Sequence, residues 1–487
     1  MTELTRHSGA SPARGGIARS VRRAVVAAAL ALLLSAAPAA AALRVLPPEF
    51  DSDYQMPPFE TAPPPSPVWQ VVDVAVLVLL LAVGAFFSLA PWPAVRRRAR
   101  LGIFLTMLTG LLYLGFWRVG CVCPVGAVQN VASAIFDSGY VVPLVVLLFF
   151  VLPIGFALLY GRSFCGSVCP LGAVQDLVAR RPIRVPSWLQ HALGTLAFVY
   201  LAAAVLLSAV GAGYIICRYD PFVSLFRLLP LGQWAHAGGS AGGPAALGVR
   251  VDLLVLLGAF VLIGIFVARP YCRFLCPLGA IFRLTGQLSW RRVKITPSEC
   301  INCRLCEDAC PFGAIRPPSK PAAAGRRSDK RWLAVLLPLL PLLGAGGAAA
   351  GWYVSPALAR MHHTVRLADR VFLEETGAVE GVTDDSKAFR NTRRSVEALY
   401  AAAGDVKARL AIGAAIAGAA LGLLLGGKLI VLTRRRRRDD YEADPSLCLS
   451  CGRCFNYCPV NRAGGNSPPG AGTQAAGTGT AKAEVES

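Results

Sequence analysis

The sequence predicts an all-α polytopic membrane protein with about seven transmembrane helices after a signal peptide or signal anchor. A small α+β domain, split in the sequence, is predicted on its cytoplasmic side. The 487 residues are 55% hydrophobic and only 16% charged, with a mean hydropathy of +0.53. Long uncharged runs recur along the chain, and two short cysteine-rich segments lie between or after them. This composition excludes a soluble domain of that length.

The amino-terminal segment 1–42 has the pattern of a signal peptide or a signal anchor. Arg19, Arg22 and Arg23 precede a short apolar run, and small residues follow that run. Residues 43–67 are rich in proline and acidic side chains. We therefore expect an extended external linker between the signal segment and the first transmembrane helix.

The further apolar runs are long enough to cross a bilayer, which takes about 17–25 residues. They lie near 68–91, 101–117, 140–160, 194–216, 251–268, 332–354 and 411–432. Arginine and lysine clusters follow the first, third, fifth and last of these runs. The net charge of +21 therefore indicates the positive-inside rule and not nucleic-acid binding. In this topology both cysteine-rich segments face the cytoplasm and the loop 353–408 lies outside.

Two matched groups of cysteines have the spacing C-x2-C-x2-C-x3-C-P. They are Cys300, Cys303, Cys306 and Cys310, and Cys448, Cys451, Cys454 and Cys458. This is the bacterial ferredoxin spacing for [4Fe–4S] clusters. A structural zinc site usually has C-x2-C pairs separated by a long gap, so the spacing favours iron–sulfur. Since both groups are predicted inside, they form one split ferredoxin-like domain with two [4Fe–4S] clusters.

The fourth cysteine of each ferredoxin run usually ligates the other cluster. This exchange predicts one cluster on Cys300, Cys303, Cys306 and Cys458. It predicts the second cluster on Cys448, Cys451, Cys454 and Cys310. The alternative is that each group closes on itself.

A different motif, C-x3-C-P-L-G-A, occurs twice where an apolar run reaches the inside. The pairs are Cys165 with Cys169 and Cys272 with Cys276. On a helix this spacing places both thiols of a pair on one face, and the following proline starts a new helix. Arg162 and Arg273 nearby predict lowered thiol pKa values. We therefore favour a further metal or redox site over simple packing of small apolar cysteines.

An altered copy of the motif has Cys121 and Cys123, one residue apart, before Pro124. The topology places this copy outside, together with Cys217. External thiols can oxidise. Whether the three join one site or leave one thiol unpaired is open.

The sequence predicts the following division of the chain: a signal segment (1–42), a linker (43–67), a membrane core with the C-x3-C-P motifs (68–290), the first ferredoxin-type half (291–320), two membrane helices (330–433) with an external helical loop (353–408), the second half (440–462) and a disordered tail (463–487).

The repeated C-x3-C-P-L-G-A motif and the two ferredoxin runs together resemble the NapH/NosR-type membrane iron–sulfur proteins. The resemblance implies electron transfer between the quinone pool and periplasmic reductases of anaerobic respiration, in the bacterial inner membrane. Where relatives carry an external flavin domain, this chain has only the linker 43–67, so a flavin would come from a separate partner protein. The chain shows no nucleotide motif and no C-x2-C-H haem motif, so we expect neither cofactor. The alternative function is a redox-sensing regulator or reductase-maturation protein without steady turnover.

Overall fold

The computed structural model describes residues 67–89, 93–118, 123–137, 139–180, 182–228, 251–295, 300–318, 326–392, 394–433 and 440–459. The signal segment, the disordered tail, all of the linker but its last residue, and Cys121 lie outside the described residues, and their assignments stay predictions. The described residues are mostly helical and contain a single sheet of two short strands.

The described elements of the first two thirds of the chain are helical. In order they are α1 (Pro67–Leu89), α2 (Pro93–Gly110, continued by a π-helical turn, Leu111–Trp117), α3 (Pro124–Phe136), α4 (Leu144–Tyr160), α5 (Ser163–Ser167), α6 (Pro170–Val178), α7 (Ser187–Ala209), α8 (Ile215–Tyr219), α9 (Pro221–Leu228), α10 (Val251–Phe266), α11 (Pro270–Phe274) and α12 (Pro277–Gln287).

The last third contains the sheet and the longest helices. Its elements are α13 (Leu305–Ala309), β1 (Ile315–Arg316), α14 (Arg326–Ala359), α15 (His363–Glu375), α16 (Asp384–Asn391), α17 (Val396–Thr433), β2 (Glu442–Ala443) and α18 (Arg453–Tyr457).

Five helical stretches are long and apolar enough to cross a membrane, so the chain is a membrane protein. They are Val68–Leu89, Arg98–Trp117, Ser187–Ala209, Leu333–Ala359 and Val396–Val431. Two other predicted runs form the shorter apolar helices α4 and α10. The count of about seven transmembrane helices therefore stays a prediction for those two.

Helices α14 and α17 pack along their lengths because glycines face each other. A side-chain carbon at Gly351 would overlap the carbonyl oxygen of Ala414, and one at Gly347 would overlap that of Gly418. Small residues at such positions let two membrane helices approach backbone to backbone. This pair brings the chain back to the side from which it left, so the two cysteine-rich segments meet.

Helix α7 links two opposite faces of the bundle. Near its start, Gln190 donates a hydrogen bond to the carbonyl of Phe312 at 3.2 Å, beside the first cysteine-rich segment. Near its end, Ser208 accepts one from Gln129 at 3.0 Å. Eighteen residues of helix separate these contacts by about 27 Å. We call the first the cysteine face and the second the opposite face.

The opposite face carries a small helical unit formed by α15, α16 and the start of α17. Val365, Val371 and Phe389 are in its core. Glu374 joins α15 to α16, because it forms ion pairs with Arg370 of its own helix and with Arg390 of α16, both at 3.0 Å. This unit corresponds to the loop predicted at 353–408.

Candidate iron–sulfur centre

The two cysteine-rich segments pair at the cysteine face, although about 125 residues separate them. Strand β1 pairs antiparallel with β2, with Ile315 opposite Ala443. The amide of Asp444 donates to the carbonyl of Ala314 at 2.7 Å, and its carboxylate pairs with Arg316. Helices α13 and α18 also pack together. The halves therefore form one folded unit on the membrane block.

Four cysteines line one small cavity of about 30 Å³ in this unit. They are Cys310, Cys448, Cys451 and Cys454, three from the second group and the fourth cysteine of the first. The set is the one that exchange of the fourth cysteine predicts. Apolar side chains, including Val293, Ile295 and Phe312, complete the cavity wall.

The donor set fits a cluster better than a single ion. Among the described residues, no three His, Cys, Asp or Glu side chains are close enough to chelate one metal ion. A four-iron cubane holds its thiolates further apart than one ion does, and its ligands are all thiolates. Burial raises the pKa of the Cys448 thiol to about 12, so binding a cluster there must displace a proton.

Of the remaining cysteines of the ferredoxin runs, Cys303 is exposed, and Cys300, Cys306 and Cys458 are half-buried. Cys300 and Cys303 are close enough to Cys306 for their thiolates to raise its pKa, although burial is the larger cause. Cys458 ends α18 as Cys310 ends α13. The two halves thus repeat the same arrangement, and each fourth cysteine caps the short helix of its own half.

Both cysteine loops use left-handed backbone at equivalent positions. Asn302 and Ser450 have φ of 50° and 54°, and each lies two residues after the first cysteine of its group. Arg304 and Gly452 follow the second cysteine, with φ of 63° and 68°. Non-glycine residues adopt this conformation at a cost, typically where a site demands it. The spacing predicted the thiols but not these turns.

The second cysteine loop rests directly on the first C-x3-C-P turn. A side-chain carbon at Gly166 would overlap the carbonyl oxygen of Leu449. Ser88 donates to the carbonyl of Ser450 at 3.0 Å, and Arg100 to that of Cys451 at 3.3 Å. The membrane block therefore holds the loop by its backbone.

The arginines near the C-x3-C-P thiols act differently from the prediction. Arg162 donates to the carbonyl of Ser446 at 2.7 Å, and Arg273 to that of Phe312 at 3.2 Å. Their guanidinium groups bind the backbone of the ferredoxin-type segments and not the C-x3-C-P thiols. The expectation was wrong because sequence proximity does not tell which way a long side chain points.

The four C-x3-C-P cysteines come together in the buried core below this unit. Cys169 and Cys276 each precede a helix-starting proline, at the first residues of α6 and α12. Cys165, Cys169 and Cys272 all lie close enough to Cys276 to interact electrostatically.

Gln175 fixes one of these thiols and the turn beside it. Its amide donates to the sulfur of Cys272 at 3.1 Å and accepts from the amide of Tyr271 at 3.1 Å. It lies six residues after Cys169 in the first copy of the motif and reaches across to the second. The two copies therefore meet as one set of thiols.

Further cysteines lie on both sides of the set formed by the four C-x3-C-P thiols. Cys165 packs against the same apolar cluster as Cys310, Cys448 and Cys451. In the other direction, Cys169 is within electrostatic range of Cys123, and Cys123 of Cys217. Cys123 packs with the buried core of the bundle, whereas Cys217 is exposed.

A buried charge cluster that the sequence reasoning missed lies between the two units. Asp176 forms a bidentate ion pair with Arg269, with N–O distances of 3.0 and 2.9 Å. Arg100 and Arg453 approach the same carboxylate to 3.7 and 3.9 Å. Arg269 also donates to the carbonyl of Cys165. The sequence contained one signal of this cluster, an aspartate within an apolar block. Asp176 lies seven residues after the motif cysteine Cys169, and ionisable residues are rare in such a block.

Three segments of the chain match families described as 4Fe–4S binding domains. They cover the C-x3-C-P region (residues 142–195 and 249–296), the first ferredoxin run (293–316) and the second (445–461). The chain therefore binds iron–sulfur clusters of the ferredoxin type.

Curated relatives agree with these segments. Protein NirI of Paracoccus denitrificans is 30% identical over 282 residues, which are 52% of this chain and 38% of NirI. The regulatory protein NosR of Stutzerimonas stutzeri is 26% identical over 268 residues, 51% of this chain and 34% of NosR. An uncharacterised protein of Methanocaldococcus jannaschii is 26% identical over 207 residues, 41% of this chain and 77% of that protein.

The chain thus spans between a third and two fifths of the length of NirI and NosR. No solved structure matches it. The repeated C-x3-C-P motif, the two ferredoxin runs and these similarities support the resemblance of the chain to the NapH/NosR-type membrane iron–sulfur proteins.

Proposed function

We propose that this protein transfers electrons across the bacterial inner membrane. The donor is the quinone pool or a cytoplasmic reductant, and the acceptor is a periplasmic redox partner of anaerobic respiration. The observation that carries the proposal is the line of thiols from the four-cysteine cavity through Cys165 and the C-x3-C-P set to Cys123 and Cys217. Redox centres must lie close together for electrons to move between them, and this line provides such positions.

Two [4Fe–4S] clusters would occupy the ferredoxin-type unit. Cys310, Cys448, Cys451 and Cys454 would hold the inner cluster, and Cys300, Cys303, Cys306 and Cys458 the outer one. The four-thiol cavity supports this exchange over closure of each group on itself. Bound clusters accept and release single electrons, while the protein sets their position and potential.

The C-x3-C-P set would hold a further metal or redox centre. Cys165, Cys169, Cys272 and Cys276 converge in the core, and Arg269 and Gln175 orient the turns that carry them. The positive charge of Arg269 lies beside these thiols and would offset the negative charge of thiolates. This centre would connect the inner cluster with the thiols nearer the opposite face.

Orientation follows from the basic clusters that flank the helices. With the cysteine face in the cytoplasm, the unit of α15 and α16 faces the periplasm, where it could meet the redox partner. A separate flavin-binding protein is one candidate for that partner.

The second candidate function is redox-sensing regulation or reductase maturation without steady turnover. NosR, to which this chain is similar, is described as a regulatory protein. The two functions differ in one measurable property. An electron-transfer protein in liposomes sustains quinol-dependent reduction of an external acceptor, whereas a sensor is reduced once and then stops.

The first experiment is an EPR redox titration of the anaerobically purified protein, with iron and acid-labile sulfide measured on the same sample. Two clusters require about eight irons per chain, and a larger content indicates a centre at the C-x3-C-P set. Cluster potentials extend from about −700 to +450 mV across proteins. Values near or above the quinone couple support quinol as the donor, whereas values near about −400 mV support a strong cytoplasmic reductant. A chain without EPR-active clusters would overturn the proposal.

A further inference from the structure

A second, larger cavity opens at the cysteine face, beside the ferredoxin-type unit. It has a volume of about 380 Å³. Helices α7, α12 and α17 form its walls, and Ser446 and Leu447 of the second cysteine loop form its inner end. Ligand cavities commonly measure about 300–1,000 Å³, so this one has room for a ring with an apolar tail.

The cavity is apolar along its length and open to the outside of the bundle. Leu424, Leu425 and Val431 of α17 line it, and these side chains are 38–63% exposed on a helix that is long and apolar enough to span the membrane. Val199 of α7 lies opposite and is also exposed. Such a mouth admits a molecule from the hydrocarbon layer without passage through water.

Its inner end is polar, and two of its donors are available. Lys428 uses one ammonium hydrogen on the carbonyl of His191, at 2.6 Å, and two remain. Within the described part of the chain, the imidazole of His191 has no hydrogen-bond partner. A histidine and a lysine together can donate to, or accept from, the oxygens of a small polar ring.

The other cations at this end are already engaged. Arg283 donates to the carbonyls of Gly194 and Arg273, and Arg316 pairs with Asp444. Lys428 and His191 are then the groups at this end with hydrogen-bonding positions left for a ligand, which suits a small, oxygen-bearing ring.

The same end contacts both chain segments that carry the inner-cavity thiols. Leu447 immediately precedes Cys448. Gln190, also in the wall, donates to the carbonyl of Phe312, two residues after Cys310. A molecule bound here would lie next to the proposed inner cluster.

We propose that this cavity binds a quinone, with the ring at His191 and Lys428 and the isoprenoid tail along Val199, Leu424 and Leu425. The inference rests on the proposed function, because it names the site at which that function would meet the quinone pool. Oxidation of one quinol here gives one quinone, two protons and two electrons. The electrons reduce the two clusters by one each, His191 can accept the first proton, and the second is released to water at the cysteine face.

Gly427 offers a way to fill the cavity without disturbing the fold. It lines the cavity, and a side-chain carbon at this position meets no atom within 4 Å. Gly346 on α14 is equally unobstructed but does not line the cavity, which makes it a matched control. The variants to compare are Gly427→Leu, His191→Leu and Gly346→Leu in the full-length, cluster-loaded protein.

The experiment is a stopped-flow measurement of cluster absorbance. It follows electron transfer from quinol to the protein and from the protein to quinone, because one of these two directions is thermodynamically favourable. Oxidised protein is mixed with decylubiquinol, and dithionite-reduced protein, freed of dithionite, with decylubiquinone. We expect Gly427→Leu and His191→Leu to slow electron exchange by about tenfold or more, with Gly346→Leu unchanged. All three variants should keep the wild-type iron content and dithionite reduction rate.

The outcomes separate this inference from the proposed function. If wild-type clusters exchange electrons with neither reagent, the quinone branch of the proposed function fails together with the site. If the wild type reacts and both cavity variants react at the wild-type rate, the site is wrong and the proposed function stands. A tightly bound anionic phospholipid, found by mass spectrometry in the wild type and absent from Gly427→Leu, would also overturn the quinone assignment.

Discussion

Replacing Asp176 by asparagine should destabilise the protein strongly, because it leaves a buried arginine without its counter-ion. Arg269 is 0% exposed in its side chain and Asp176 is 2% exposed, and two hydrogen bonds of 3.0 and 2.9 Å join them. Breaking one partner of a buried pair costs about 3–5 kcal/mol. In a chain of this size each kcal/mol lowers the thermal midpoint by about 1–2 °C, so we expect a fall of roughly 3–10 °C.

The assay is thermal unfolding in detergent under anaerobic conditions, followed by near-UV absorbance and by loss of the cluster absorbance. Asp369→Asn is the matched control, because the same change breaks an ion pair with Lys407 whose side chains are 41% and 49% exposed. An exposed pair contributes at most about 1 kcal/mol, so the control should change little. Equal shifts in the two variants would refute the reasoning from burial.

A double variant separates charge from packing. Asp176→Leu combined with Arg269→Met removes both charges, and replacing a buried pair by apolar residues is often close to neutral. We expect part of the lost stability to return. Full recovery is not expected, because the carbonyl of Cys165 loses the hydrogen bond from Arg269.

Three further predictions test the site and the unit on the opposite face. Cys310→Ala and Cys454→Ala should each abolish the same EPR signal of the reduced protein, because both thiols line one cavity. Gly166→Ala should lower the iron content and expose 440–459 to protease, since its methyl group would overlap the Leu449 carbonyl and overpacking costs about 1–3 kcal/mol. Glu374→Gln should destabilise the opposite-face unit at neutral pH in thermal unfolding, and its difference from the wild type should vanish in acid.

Controls for these variants come from the same elements. Cys306→Ala should abolish the other EPR signal, and two different signals lost in Cys310→Ala and Cys454→Ala would mean that each group closes on itself. Gly155→Ala meets no atom within 4 Å and should keep its iron; equal iron loss in both glycine variants would contradict the proposed docking.

The sign of the Glu374 prediction follows from its pKa. Burial opposes ionisation, but hydrogen bonds from Ser386 and the Thr383 amide, with Arg370 and Arg390, hold the pKa of Glu374 below its usual value of 4.5. The ionised carboxylate therefore stabilises the folded unit at pH values above this usual pKa of 4.5. The contribution is lost as the pH falls through the lowered pKa. A difference between Glu374→Gln and the wild type that persists far below this range would contradict the assignment.

Local patterns predicted the parts of the fold that are encoded locally. Uninterrupted apolar runs became helices, and the Cys-Pro steps at Pro124, Pro170 and Pro277 became the starts of helices because proline fits the first turn. The four thiols that line the inner cavity coincide with one of the two ligand sets that the exchange rule predicts, and their ligation of a cluster stays a prediction.

The same local patterns could not predict contacts between segments that are distant in the sequence. Nothing near Asp176 in the chain indicates Arg269, which lies 93 residues later in a left-handed conformation with φ of 50°. The larger cavity is similar, because its walls come from α7, α12 and α17 and no motif marks its polar end. Such sites depend on how elements pack, and hydropathy does not specify packing.

The buried charge at Asp176 has a consequence for how the two units are joined. One carboxylate receives Arg269 and Arg100 from the membrane block and Arg453 from the helix after Cys451. Separating the ferredoxin-type unit would expose Asp176 to water on one side while Arg269 stays buried. The charge cluster therefore penalises separation, and the Cys165 turn and the second cysteine loop keep one fixed spacing. We expect electron transfer between the proposed inner cluster and the C-x3-C-P set to depend on this spacing, so Asp176→Asn should slow that step even where the protein remains folded.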